Sequence, residues 1–199
     1  MPSGVHIHNV RGQLFEAAER VLLRDGPDAL TSRAVTEEAN CAKGVLHRHF
    51  TDFDAFLAEL VLTRVRGIED RTTTLRAATG TGSVVDNLVD ALEDLFGPVT
   101  VAIVALLTFR DGLRARLREA GLTGIPLVVQ GTAMIAAYLT AERESGRLAA
   151  AADIDTLAPT LVGAGHLLFA DRTSAPPQPD TVRKMVTTVM ADALRPARS

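Results

Sequence analysis

Apolar residues recur every three to four positions along almost the whole chain and never alternate in strand fashion for more than a few residues. That period places side chains on one side of a helix, so the chain reads as all-α, with about nine helices. Val10, Leu14, Ala18, Val21 and Leu22 form the stripe of a first helix, which Gly26 and Pro27 stop. Thr31 is placed to cap a short second helix over 32–39. Asn40 falls where the chain must turn, and asparagine tolerates the left-handed conformation such a turn needs. A third helix over 42–49 follows at once.

Two short helices separated by a tight turn have the proportions of a helix-turn-helix, whose second member enters the major groove of DNA. Beyond Phe50, Asp52 caps a long fourth helix whose buried side carries Phe53, Phe56, Leu57, Leu60, Val61 and Ile68. The breaks 79–83, 97–98, 121–124 and 145–146 then separate further helices over 83–96, 99–117 (with a bend near Asp111 and Gly112), 126–144, 155–171 and 180–194. These boundaries divide the chain into a three-helix domain with the helix-turn-helix, 1–52, and a larger all-helical domain, 53–199.

Composition narrows the function. A content of 47% hydrophobic residues supplies a packed core and excludes disorder as the main state. The single cysteine, Cys41, forms no internal disulfide, fits a reducing cytoplasm and reads as a small packing residue. No secretory leader is evident, and the longest apolar runs, 99–109 and 127–139, fall short of the about 18 residues that suggest a membrane span. A net charge of −3 argues against a protein that coats nucleic acid everywhere, yet Lys43, His47, Arg48 and His49 form a local basic patch without an acidic neighbour. His47 and His49 lie two apart and so do not share a helical face, which argues against a metal site. His6 and His8 read as a tail, with a minor-groove arm the rarer alternative. No Gly-x-Ser-x-Gly, Walker loop or His-Glu-x-x-His is present, so neither an enzyme nor a cofactor is expected.

The segment from Leu30 to Leu57 closely resembles the DNA-binding region of the TetR family. Thr31, Arg33, Lys43, Gly44, His49, Phe50 and Leu57 match that family's Thr-x-Arg opening, its Lys-Gly-x-x-Tyr-x-His-Phe core and the leucine beyond. His47 stands where the family usually has tyrosine, and Phe53 where it usually has lysine, two positions that commonly touch phosphate. His47 can still donate to a phosphate; Phe53 cannot.

The resemblance implies a transcriptional regulator, a repressor that grips a palindromic double-stranded operator as a homodimer and is released by a small-molecule effector. An activator, or an architectural DNA-binding protein without an effector, is the alternative. Expected DNA contacts are Thr31, Ser32, Arg33, Lys43, Gly44, His47, Arg48 and His49. In the second domain Phe96, Phe109, Met134 and Phe169, with Arg110, Gln130, Tyr138 and His166 as the polar handful, are the expected lining of a mostly apolar effector site. The last two helices have broad apolar faces, and Leu161, Gly165, Leu168, Val182, Val186 and Val189 are the expected dimer contacts.

Overall fold

A computed structural model of the chain describes residues 9–170 and 177–195. Ten α-helices make up its architecture: α1 (Val10–Asp25), α2 (Ser32–Glu38), α3 (Val45–His49), α4 (Phe53–Ala77), α5 (Val84–Leu95), α6 (Pro98–Phe109), α7 (Asp111–Glu119), α8 (Pro126–Glu144), α9 (Ile154–Phe169) and α10 (Pro179–Met190). A single 3-10 turn over Pro27–Ala29 joins α1 to α2. Among the described residues the one β-type contact is an isolated antiparallel bridge between Leu148 and Leu194, which ties the end of the chain to the α8–α9 connection. His6 and His8 lie outside the described residues.

The helix boundaries follow from local chemistry. Asn9, Thr31, Asp52, Ser83 and Asp153 each accept a hydrogen bond from a backbone amide of the first turn they cap. Asn40 takes φ +52°, the one positive value at a non-glycine residue among those described, so the turn between α2 and α3 is made as its sequence suggests. The helix expected over 99–117 is in fact two: Arg110, at φ −120° and ψ 87°, leaves helical geometry and separates α6 from α7.

The core runs without interruption along α4. Its first turns pack under α1 and α3, where Phe15, Phe50 and Phe56 meet with ring centroids 5.0–5.9 Å apart. α7 lies beside the start of α4, and further on α4 lies against α8 and α5, while α9 and α10 close the far side by packing on α8 and α5 respectively and on each other. The most apolar run becomes α6, whose Val101, Ala102, Ile103, Val104, Leu106 and Leu107 are buried. No single helix among the described residues is long and apolar enough to cross a membrane.

Candidate functional site

The end expected to face DNA is assembled from short helices locked from beneath. Val35 and Thr36 anchor α2, and Leu46 and Phe50 anchor α3. Arg20 and Arg24 of α1 pair with Glu38 at 2.8 and 2.7 Å, and these two guanidiniums hold its carboxyl below the ordinary range. With the inner face so committed, Lys43, Gly44, His47, Arg48 and His49 are exposed on α3 and the turn that enters it. Thr31 and Arg33 are exposed at the start of α2 and Ser32 is half-buried beside them. Thr31 caps α2 through Ala34 N–H, and Arg33 pairs with Glu37 one turn on at 2.7 Å. A Cβ added at Gly44 would meet nothing, so glycine there is not required by packing inside the protein. Cys41 is half-buried and its thiol donates to Ala39 O at 3.4 Å.

A cavity of about 400 Å³ lies between α4, α5 and α8. Leu75, Ala78, Ala91 and Met134 form its apolar wall, and Asp70, Asp90, Asp94 and Arg71 its charged rim, where Arg71 and Asp94 pair at 2.7 Å. A second cavity of about 260 Å³ lies between α4 and α8; Gln130 and Met134 line it, so Met134 belongs to both. Below the larger cavity Tyr138 is fully buried and its hydroxyl accepts from Asn87, which itself lines that cavity, at 2.9 Å. Burial, reinforced by the Glu142 carboxylate, pushes the Tyr138 hydroxyl well above its ordinary pKa. Glu142 is also fully buried; Gly80 N–H donates to it at 3.4 Å, Ser145 Oγ at 3.3 Å, and Arg147 lies at 3.4 Å.

The remaining expected cavity residues are elsewhere. Phe96, His166 and Phe169 form a separate ring cluster between α5 and α9, with centroids 5.7 and 5.9 Å from Phe96. The imidazole Nδ1 of His166 is buried there without a hydrogen-bond partner among the described residues. Phe109 is 81% exposed at the end of α6, and Arg110 turns toward α4 to pair with Asp54 at 2.8 Å. Neither lines either of these two cavities, and α6 ends at this point with the break at Arg110.

The expected dimer contacts divide in a similar way. Leu161, Val182 and Val186 have no exposed surface in the single chain, and Gly165 is buried where a Cβ would stand 3.1 Å from the Phe96 ring. These residues are taken up internally, since α9 and α10 each have two helical neighbours to satisfy. Leu168 and Val189 are half-buried. The outward stripe of α9 carries Pro159, Gly163 and Leu167, the last 77% exposed.

Residues 14–60 match the model of the bacterial regulatory proteins of the tetR family. The chain therefore carries the N-terminal DNA-binding domain of that family over these residues. It is a transcriptional regulator with a DNA-binding helix-turn-helix, formed by α2 and α3. No curated protein matches the sequence significantly. Among solved structures, the chain is similar to *Escherichia coli* NemR in its reduced form, at 17% identity and TM-score 0.70, covering 96% of this chain and 100% of that one. It is also similar to a transcriptional regulator from Saccharomonospora viridis in complex with choline, at 18% identity and TM-score 0.68, covering 94% and 98%. A third, FadR from Bacillus subtilis in complex with stearoyl-CoA, has 13% identity and TM-score 0.68, covering 91% and 98%. These likenesses establish the TetR fold over nearly the whole chain.

Within that fold, the cavity residues that sequence reasoning passed over are mainly polar: Asp70, Arg71, Asn87, Asp90 and Asp94. They read as the solvated sides of α4 and α5, and only the approach of the two helices turns those sides toward a common hollow. Leu167 is legible as apolar, but nothing in its spacing separates it from the buried Leu161 and the half-buried Leu168 of the same helix.

Proposed function

We propose that this TetR-family regulator is a dimeric repressor that binds a palindromic operator through α3 and is released by a small molecule taken into the cavity between α4, α5 and α8. One observation carries the DNA half of the reading. On a chain of net charge −3, every exposed residue of α3 is basic (His47, Arg48 and His49), Lys43 is exposed in the turn that enters it, and the apolar residues beneath hold the helix in place. Lys43 and Arg48 neutralise phosphate or read guanine edges, and His47 donates to phosphate in place of the usual tyrosine. Gly44 leaves room for the DNA backbone to come close to the amides that open α3. Thr31, Ser32 and Arg33 face the backbone from the start of α2; Arg33 must give up Glu37 to do so.

A dimer presents two such helices to two half-sites. The outward apolar stripe of α9, which ends at Leu167, supports a four-helix contact between two copies of α9 and α10. For the effector, the apolar wall of the cavity supports a small, mostly apolar molecule, and the three rim aspartates against one arginine favour a neutral or cationic one. Regulators of the same fold hold choline and stearoyl-CoA. Selection of bound fragments from genomic DNA tests the reading. A palindrome with half-sites about one helical turn apart is expected; recovery of unrelated fragments would favour an architectural protein instead.

A further inference from the structure

Phe53, the departure from the family pattern that has no place in the DNA contacts, lies in the first turn of α4 and is half-buried. It stacks on Phe56 at 5.6 Å, and Phe56 in turn meets the edge of Phe50, the residue that closes α3. Over the Phe53 ring stands the guanidinium of Arg110, 5.1 Å from the ring centroid. The same guanidinium donates to Asp54 at 2.8 Å, with both side chains about one third exposed. Arg116 of α7 pairs with Asp52, whose other oxygen caps α4 through Ala55 N–H. Gly112 completes the arrangement, since a Cβ there would stand 2.5 Å from Asp54 Oδ2 and displace the carboxylate.

Arg110 is also the residue at which the long apolar helix breaks into α6 and α7. The break therefore brings a cation to the base of the DNA-binding unit from the domain that holds the cavity. A partly desolvated cation over an aromatic ring and beside a carboxylate is held more firmly than a solvated surface pair. We propose that Arg110, Asp54 and Phe53, with Arg116 and Asp52, form an interdomain latch that fixes the first turn of α4, and through Phe56 and Phe50 the recognition helix, in its DNA-binding orientation. Where the family usually spends this position on a phosphate contact, this chain uses it to join its two domains. Arg110 is thus a positioning residue: operator affinity depends on it although it touches no DNA. The inference rests on the DNA-binding reading above.

The test uses the full chain and, as probe, the tightest duplex of about 40 base pairs, long enough for two half-sites, recovered from a random pool by the wild type. Arg110→Ala and Asp54→Asn should each weaken binding about 5- to 150-fold. The double variant should be no weaker than the weaker single one, because both remove one interaction. The slope of affinity against salt should stay at the wild-type value, since no phosphate contact is lost. Gly112→Ala keeps every charge and favours helix, so it carries the same expectation if Asp54→Asn fails to fold. Binding within twofold of wild type, additive losses, tighter binding, or a slope smaller by about one unit would each overturn the latch. Recovery of no duplex by the wild type would overturn the DNA-binding reading and the latch with it, whereas variants that match a wild type that does bind would overturn the latch alone.

Discussion

The two ends of α4 are built by opposite means. At its start, four phenylalanines, Phe15, Phe50, Phe53 and Phe56, pack ring against ring, and the charged groups stay at the surface in ion pairs with α7 and the α6–α7 junction. At its end the surroundings are hollow: two cavities flank the helix, and a buried carboxylate, Glu142, ties the following loop to α8. Close packing has few alternative arrangements and suits a surface that must be presented rigidly to DNA. A hollow bounded by polar contacts can close around a ligand, and α4 spans both regions. An effector then acts only through its different affinity for the two arrangements of this helix.

The contrast breaks most severely if Glu142 is not the anchor of the hollow end. Glu142→Ala takes the counter-charge from Arg147, which keeps only the Thr81 and Gly82 carbonyls, and the acceptor from the Gly80 amide, and a loss of about 3–5 kcal/mol is expected in urea unfolding. A loss below about 1 kcal/mol, the scale of an exposed pair, would show that the network contributes little. Slightly smaller is the expected effect at α9, where two leucines on one helix should behave differently. Leu161→Ala opens a cavity in the core and should cost about 2–5 kcal/mol. Leu167→Asp should keep the melting temperature of the protomer core and shift sedimentation from dimer to monomer; a dimer that tolerates it would move the interface elsewhere.

How far the sequence could be read differs along the same line. In α2 and α3 each helix is short and keeps a wide exposed face, so period and caps assigned nearly every residue, including the left-handed Asn40 between them and the exposed Arg48. In α9 and α10 each helix touches two neighbours, and apolar spacing alone does not say which apolar residue faces out; Leu161, Val182 and Val186 were placed at an interface that the chain's own core occupies. Cavity residues were harder still, because a hollow is a property of several helices at once. Met134, Gln130 and the Asn87 partner Tyr138 lie at or beside the cavities, whereas Phe109 and Arg110 were displaced by a helix break that the sequence showed only as a bend.

Two finer measurements sharpen the hollow end. Met134→Trp fills space shared by both cavities and should reduce the effector response by an amount within the coupling of about 1–3 kcal/mol, with operator binding near normal. Loss of operator binding in a stable dimer would instead make Met134 part of the link to α3. The smallest effect concerns Tyr138, whose hydroxyl is kept neutral by burial and by Glu142. Its folded-state pKa lies above the unfolded value of about 10, so the folded chain holds the proton more tightly and stability is complete below that pH. Stability should fall as pH rises above it, and Tyr138→Phe should flatten that fall at a cost of about 0.5–1.5 kcal/mol at neutral pH. An unchanged alkaline profile would assign the loss to other groups.

The central claim is that α3 reads DNA with the basic residues its core leaves exposed. Operator affinity of Lys43→Ala and Arg48→Ala, measured at physiological salt on the selected palindrome, tests it most directly. A loss of about 1–3 kcal/mol is expected for Arg48→Ala with relaxed preference at one base position, or a uniform loss with a shallower salt dependence if it binds phosphate. Unchanged affinity in both variants, with the fold and dimer intact, would contradict the assignment of α3 as the recognition helix.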